Sequence, residues 1–214
     1  MTRVLLTGFE PFDGESANPS WQAVRAVADR PPAGLEVSAV ELPCVYGASM
    51  TALRAAIADR RPEIVVCVGQ AGGRPDVTVE RIAINVDDAR IPDVMGAEPV
   101  DEVIVPGGPA AYFSTLPIKA CVAAVRAVGV PASVSNTAGT FVCNHVFYGL
   151  AYLLATELPG VRGGFVHVPY APEQVVDRAQ PSLSVAVVAR ALGEIAATAA
   201  RVRTDIRVAE GATH

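Results

Sequence analysis

Several features that define common protein classes are missing from this sequence of 214 residues. Neither GxGxxG nor GxxxxGK[ST] occurs, so the chain lacks the glycine-rich turns that hold the phosphates of dinucleotides and nucleotides. The longest apolar stretches, such as residues 182–200, are interrupted by charges such as Arg190 and Glu194, which argues against a membrane-spanning helix. Lys and Arg form no cluster and the net charge is −5, so nucleic acids would find no basic surface to bind.

Cysteine and histidine are scarce, with four and three residues. The cysteines form no CxxC pair, and a chain of this size in a reducing compartment needs no disulfides, so each thiol is interpreted singly. Cys143 and His145 are the only close pair of cysteine and histidine residues, and positions two apart diverge on a helix. We therefore predict no metal site and no other cofactor. The apolar run near the N-terminus is too short for a signal peptide, so we expect a cytoplasmic protein.

Apolar residues make up 51% of the chain and charged residues 18%, a balance typical of a globular protein with a buried core. Strand and helix patterns alternate without a repeat or an interdomain linker, which predicts one α/β domain over residues 1–214 with helices on both faces of a largely parallel sheet. The predicted strands cover 4–7, 35–42, 64–68, 77–85, 132–136 and 163–168, and the predicted helices begin after Asn18 and cover 48–59, 118–128, 143–155 and 181–202.

Of the four thiols, Cys143 has the position best suited to chemistry. It falls at a strand–turn–helix junction, where unpaired N–H groups and the helix dipole lower a thiol pKa. The same position directs Cys143 towards the sheet, so a structural role is equally open. Cys67 and Cys121 lie in apolar patterns typical of core residues, and Cys44 lies in a turn with no evident partner.

A thiolate nucleophile needs a base, usually a histidine. His145 lies about 200° around a helix from Cys143 and cannot easily face the same thiol, and His214 is the terminal residue. His167, near the end of an apolar strand, is therefore the remaining candidate for the base. A hydrogen-bonded core histidine is the alternative interpretation of His167.

A third group must orient the base, and Glu80 is the strongest candidate. It shares the apolar face of a predicted strand with Ile82 and Ile84, where a carboxylate requires a partner. That partner is either a structural arginine or lysine, or an imidazolium across the sheet. Three aspartates are weaker candidates because they lie in loop sequence and are expected to be solvated: Asp87, Asp88 and Asp93.

Six ordered motifs over about residues 1–175 resemble the pyroglutamyl peptidase I family, also called the pyrrolidone carboxyl peptidases. Together they are far more specific than any one of them. They are Thr7-Gly-Phe-Glu-Pro-Phe12 with Asn18-Pro-Ser, Gly69-Gln-Ala-Gly-Gly-Arg74, Glu80-Arg-Ile-Ala-Ile-Asn85, Asp88-Ala-Arg-Ile-Pro-Asp93, Ser135-Asn-Thr-Ala-Gly-Thr-Phe-Val-Cys-Asn144 and Val166-His-Val-Pro169.

The resemblance implies a single catalytic domain with an α/β/α sandwich fold around a mostly parallel, mixed sheet. It implies a cysteine peptidase that removes N-terminal pyroglutamate, with Cys143 as nucleophile, His167 as base and then acid, and Glu80 orienting the histidine. Arg90 and the backbone N–H of Cys143 are implied to stabilise the oxyanion. The implied substrate pocket consists of Phe9, Phe12, Gln70, Phe141 and Val142, and the implied assembly is a homotetramer.

The chemistry of that pocket suits pyroglutamate, which is a neutral five-membered lactam. Phe9 and Phe12 would supply aromatic walls, and Gln70 an amide partner for the ring N–H and C=O. The sequence departs from the family pattern at Val94, where the family usually has Asn, and at Tyr170-Ala171. Two other functions stay open: a small-molecule binding protein without catalysis, and an enzyme of the nucleoside phosphorylase type, for which the sequence offers no phosphate site.

Overall fold

Six strands pair into a central sheet in the computed structural model, which describes residues 1–212. His214 lies outside the described residues. The strands of the sheet are β1 (Thr2–Phe9), β2 (Leu35–Leu42), β3 (Ile64–Gln70), β4 (Val77–Glu80), β7 (Ala132–Ser135) and β8 (Arg162–Val168), and a separate pair consists of β5 (Ile82–Ile84) and β6 (Ala111–Phe113). The helices are α1 (Pro19–Asp29), α2 (Ala48–Arg60), α3 (Ile118–Ala127), α4 (Val142–Thr156) and α5 (Val185–Arg201), with a 3₁₀ turn at Pro172–Gln174.

The sheet has the strand order β2-β1-β3-β8-β4-β7. All neighbouring strands are parallel except β4 and β8, which pair antiparallel. Every residue of β3 is buried, as expected for the continuous apolar run of a central strand covered on both faces. The predicted fold, a mostly parallel mixed sheet between helical layers, is confirmed.

Each face of the sheet carries its own apolar core. One core joins the sheet to α1, α3 and α5, with Val24, Val122 and Ile195 among its buried members. The other joins the sheet to α2 and α4, with Leu53 and Leu150 among its buried members. Burying each such side chain contributes on the order of 2 kcal/mol, so the two cores hold the strand ends in fixed relative positions.

The end of β1 packs unusually closely against α1. Asn18 caps this helix, its Oδ1 accepting a hydrogen bond of 3.0 Å from the N–H of Ser20, as the Asn-Pro pattern predicts. A Cβ at Gly8 would lie 2.5 Å from the Cα of Trp21, so only glycine permits this approach. The loop that joins β1 to α1 therefore begins and ends at fixed positions.

The segment predicted as one strand over 77–85 is instead divided at Arg81, and that expectation was wrong. The Arg81 N–H still bonds to Ser135 of β7, but its carbonyl accepts from Ser114 beside β6, so the chain passes from the main sheet to the small one. Glu80 therefore does not share a strand face with Ile82. The helix predicted from 181 begins at Val185, because Leu183 bonds to the Tyr170 carbonyl and Ser184 caps the helix.

The segment after α5 binds back onto the domain. Both carboxylate oxygens of Asp205 accept hydrogen bonds from the first turn of α3, at 3.0 Å from Lys119 N and 2.9 Å from Ala120 N. Glu210 forms an ion pair with Arg126 at 2.6 Å. The α3 helix has no side-chain cap of its own, so Asp205 supplies one from a distant part of the chain. Within residues 1–212, no helix is long and apolar enough to cross a membrane.

The capping role of Asp205 leads to a prediction for the Asp205→Ala variant. Losing the cap should lower the free energy of unfolding by about 1 kcal/mol, equivalent to about 2–4 °C in Tm for a chain of this length. Calorimetry measures this loss, with Asp177→Ala, which removes an exposed carboxylate, as the control. An unchanged Tm, or an equal loss in the control, would contradict the cap.

Candidate functional site

A cavity of about 340 Å³ opens beside the ends of β3 and β8 and the start of α4. Its lining includes Phe9, Phe12, Gln70, Arg74, Arg90, Phe141, Cys143 and His167. Larger clefts of about 540 and 550 Å³ lie elsewhere, but neither contains this combination of a thiol, an imidazole and aromatic walls. The site sits where the carboxyl ends of β1, β3 and β8 meet, as expected for an α/β sheet.

Glu80 is fully buried at the end of β4, and one of its oxygens accepts hydrogen bonds from two side chains. Its Oε1 lies 2.7 Å from Nδ1 of His167 and 2.6 Å from Nη1 of Arg74. The antiparallel pairing of β4 with β8 sets Thr78 opposite His167, which brings Glu80 diagonally across to the imidazole. Both alternatives for the partner of Glu80, an arginine and a histidine, are therefore present together.

The orientation of His167 follows from this contact. A carboxylate only accepts hydrogen bonds, so Nδ1 carries the proton and donates a hydrogen bond to Glu80. Nε2 is then the imidazole nitrogen available to accept a proton. His167 is buried and still lines the cavity, so this nitrogen has a route to a bound molecule.

Cys143 is the second residue of α4 and lines the same cavity as His167. Gly69 of β3 is the register partner of His167 in β8. A Cβ at Gly69 would lie 2.7 Å from Sγ of Cys143, so the thiol rests directly against this glycine. The absence of a side chain at Gly69 thus lets the sulfur approach the strand that neighbours the imidazole.

The charge states of Cys143 and His167 differ from those of a thiolate–imidazolium pair that exists before the reaction. Burial raises the pKa of the Cys143 thiol well above its ordinary value, and Cys44 and Glu80 add to the effect while Arg74 opposes it. Burial also lowers the pKa of His167, although the hydrogen bond that His167 donates to Glu80 acts to raise it. Burial alone would raise the pKa of Glu80, but the contacts with His167 and Arg74 outweigh it and lower that pKa.

The resting site therefore holds a neutral thiol, a neutral imidazole and an ionised Glu80. The expectation that the helix N-terminus lowers the pKa of Cys143 was wrong, because desolvation is the larger effect at this position. A reaction at this sulfur would therefore begin from the protonated thiol.

Aromatic rings form one side of the cavity. The rings of Phe12 and Phe141 lie 6.3 Å apart between centroids, and Phe9 is almost completely buried beside them. Gln70 is also buried, and its Oε1 accepts a hydrogen bond from Gln174 at 3.0 Å. The walls are thus mainly apolar with a few polar groups, as in typical small-ligand sites.

Several predicted residues lie elsewhere than expected. The Val142 side chain is fully buried in the core and does not line the cavity. Asp87 and Asp93, expected to be solvated, are buried. Asp93 accepts from the N–H groups of Tyr46, Met95 and Ala97, so it organises its own loop. Asp88 is exposed, and Val94 is half-exposed on the same loop.

Sequence reasoning missed three residues of the site. Arg74 was noted only as the last residue of a glycine-rich motif, although it forms an ion pair with the buried Glu80. Cys44 lines the cavity, and burial raises the pKa of its thiol to about 12. Asn144 is fully buried and binds the backbone of Ile84 and Val86. A buried amide next to the thiol in the motif Cys143-Asn144 was the available signal.

The described residues contain no group of three or more His, Cys, Asp or Glu side chains arranged to hold a metal ion. Cys143 and His145, the close pair in the sequence, diverge on α4. His145 instead binds Asp87 at 2.7 Å, on the other side of the helix from the thiol.

Comparison with known proteins gives consistent matches over the chain. A family model described as pyroglutamyl peptidase matches residues 2–202, further than the motifs reach. The pyrrolidone-carboxylate peptidases of Streptomyces coelicolor and Klebsiella pneumoniae are 66% and 57% identical to it, over all of both chains. The crystal structure of pyroglutamyl peptidase I from Bacillus amyloliquefaciens superposes with a TM-score of 0.96 at 48% identity, covering 97% of this chain and 99% of that one. A mutant pyrrolidone carboxyl peptidase from Pyrococcus furiosus gives 0.90 at 40% identity, covering 94% and 99%.

The shared contact on Glu80 leads to a prediction for Arg74→Met. The positive charge of Arg74 favours the thiolate of Cys143 and disfavours the imidazolium of His167, so its removal should raise both pKa values. The rate of Cys143 alkylation, followed by mass spectrometry, should then rise at higher pH than in the wild type. The His167 titration, followed by NMR, should also move to higher pH.

Arg74→Lys, which keeps the charge, is the matched control and should shift both profiles less. Unchanged profiles in Arg74→Met, or shifts to lower pH, would show that Arg74 does not set these charge states.

Proposed function

This chain belongs to the pyroglutamyl peptidase family, and we propose that it is a cysteine peptidase that hydrolyses the bond after an N-terminal pyroglutamyl residue. The observation that carries this proposal is the cavity shared by Cys143 and His167, with Glu80 bonded to the far side of the imidazole. A thiol, a base and an orienting carboxylate in this order are what acyl transfer through a thioester requires.

In the first half of the reaction, Sγ of Cys143 attacks the carbonyl carbon that links pyroglutamate to the next residue. The thiol proton passes to Nε2 of His167 as the C–S bond forms, because the buried thiol is neutral at rest. The imidazolium is stabilised by Glu80 through Nδ1. It then gives its proton to the leaving amine as the C–N bond breaks, and the pyroglutamyl group remains as a thioester on Cys143.

In the second half, water attacks the thioester carbonyl. His167 takes one proton from the water and returns it to the sulfur as the C–S bond breaks. Free pyroglutamate and the original thiol are the products, so protons and electrons balance without a metal or an organic cofactor.

The negative oxygen of each tetrahedral intermediate needs hydrogen-bond donors. The α4 helix begins without a side-chain cap, so the backbone N–H of Cys143 is free to donate to that oxygen. Arg90 lines the cavity from the exposed side and supplies a positive charge. Each such donor is worth about 3–4 kcal/mol of the reaction barrier.

The proposed pocket for the lactam ring consists of Phe9, Phe12 and Phe141 as walls, with Gln70 as a polar partner. Val142 is not part of this pocket, since its side chain belongs to the core and does not line the cavity. The pocket holds a neutral ring well, but an amino acid with a free N-terminus would bury an ammonium group among aromatic side chains. This cost explains the selectivity for pyroglutamate.

We propose further that residues 1–214 act as one catalytic domain in the cytoplasm, assembled as a homotetramer. The absence of a CxxC pair and the four unpaired thiols support a reducing compartment. The tetramer is supported by the family resemblance, and analytical ultracentrifugation tests it.

The role of Cys143 predicts the behaviour of two variants. Cys143→Ser should lower kcat by about 10³-fold or more with an unchanged fold, since a hydroxyl is a much weaker nucleophile. Glu80→Gln should retain about two orders of magnitude more activity, since it disturbs orientation rather than the nucleophile. Both are measured on a pyroglutamyl anilide, with circular dichroism to monitor the fold.

Inhibitors provide the control for these variants. Iodoacetamide should inactivate the wild type and label Cys143, whereas chelators should leave it active. Complete inhibition by a chelator, or full activity in Cys143→Ser, would contradict the thiol mechanism.

The neutral pocket predicts discrimination between two rings of nearly equal size. Prolyl anilide carries an ammonium where pyroglutamyl anilide carries a lactam N–H, and burying that charge costs several kcal/mol. We therefore expect kcat/KM to be at least about 10³-fold lower for prolyl anilide. Comparable values for the two substrates would rule out an uncharged pocket.

A further inference from the structure

A second histidine–carboxylate pair lies behind the cavity, and the proposed mechanism does not use it. Nδ1 of His145 lies 2.7 Å from Oδ2 of Asp87, and both side chains are largely buried. Nε2 of His145 accepts a hydrogen bond of 3.1 Å from the N–H of Gly47. A backbone N–H can only donate, so His145 is neutral with its proton on Nδ1, and both ring nitrogens are engaged.

The contact between His145 and Asp87 lies at the start of the chain segment that carries Arg90. Asn144 binds the backbone at Ile84 and Val86, and the Asp87 contact extends this attachment of the loop to α4 by one residue. The backbone of Asp87 also pairs with Glu102 in both directions, at 2.7 and 2.9 Å. Arg90 follows three residues later and lines the cavity. The Asp87 contact therefore fixes the start of the segment that carries the proposed oxyanion-stabilising charge.

The contact between His145 and Gly47 lies beside a ring that packs against the aromatic wall of the cavity. Gly47 adjoins Tyr46, whose ring meets Phe141 edge-on at 5.6 Å and His145 edge-on at 5.4 Å between centroids. Phe141 lines the cavity. The Gly47 contact therefore holds the turn that supports one wall of the proposed lactam pocket.

From these contacts we propose that His145 is a positioning residue with two separable effects: through Asp87 it positions Arg90 for the transition state, and through Gly47 and Tyr46 it positions Phe141 for ring binding. The proposal rests on the proposed function of the cavity. His145 touches no reacting atom, because it faces away from Cys143 on α4.

Two conservative substitutions separate the two effects. His145→Asn places an amide N–H near the position of Nδ1, so it keeps a donor for Asp87 and loses the acceptor for Gly47. His145→Gln places an amide oxygen near the position of Nε2, so it keeps the acceptor for Gly47 and loses the donor for Asp87. A merely structural role predicts equal effects of both on kcat and KM, or effects on stability alone.

We expect His145→Asn to raise KM about 5- to 10-fold with kcat within about twofold of the wild type, since ground-state ring binding is weakened. We expect His145→Gln to lower kcat about 10-fold with little change in KM, since displacing a charge that acts on the transition state slows the chemical step. Thr156→Ala, an exposed position on the same helix whose hydroxyl bonds only within α4, is the control and should change neither.

A double-mutant cycle with Arg90→Ala gives the decisive comparison. The kcat loss caused by His145→Gln should largely disappear when Arg90 is already absent, because the residue through which it acts is gone. An undiminished loss in the Arg90→Ala background, identical kinetics of the Asn and Gln variants, or wild-type kinetics in both would overturn the proposal. If either variant fails to fold, Asp87→Ala, which removes the acceptor for Nδ1 of His145, tests the Arg90 arm in the same cycle. An inactive wild type would instead contradict the proposed function itself.

Discussion

A buried carboxylate must be paired, and the pairing of Glu80 determines much of this site. Its single engaged oxygen receives both the imidazole of His167 and the guanidinium of Arg74. The arginine compensates the buried charge, so the histidine need not be protonated to do so. This leaves His167 neutral and able to accept a proton, which is the state that a general base requires at the start of a reaction.

The topology of the sheet makes this pairing possible. The reversal of β4 relative to β8 brings the end of one strand across from the end of the other, and the parallel pairing of β3 with β8 sets Gly69 beside His167. Because α4 begins next to Gly69, Cys143 in its first turn lies against this glycine and beside His167. Strand direction, a missing side chain and a helix start thus converge on one cavity.

Much of the fold could be predicted from the sequence, because buried strands and amphipathic helices leave strong local patterns. The strand 35–42 was predicted with its observed bounds, and the centres of the other main-sheet strands were found. The break at Arg81 was not, since it depends on competing partners, Ser135 and Ser114, that are distant in sequence. The start of α5 was misplaced for a similar reason, because Tyr170 holds the residues before it.

The candidate site was likewise predictable from the sequence only in part. Cys143 could be selected by its position at a helix start, His167 by elimination of the other histidines, and Glu80 as a carboxylate among apolar strand residues. The role of Arg74 at Glu80, the burial of Asp87 and the raised pKa of Cys143 all depend on contacts across the fold, which no local pattern encodes. Position at a helix start suggested an acidic thiol, but only three-dimensional packing reveals how strongly the sulfur is desolvated.

The proposed mechanism requires Cys143 to carry the acyl group during turnover. Acid quenching of the enzyme while it turns over a pyroglutamyl ester, followed by digestion and mass spectrometry, detects such an intermediate. We expect one pyroglutamyl group attached to the peptide that contains Cys143, and to no other peptide. An adduct on Cys44, or hydrolysis with no adduct on either cysteine at any quench time, would contradict it.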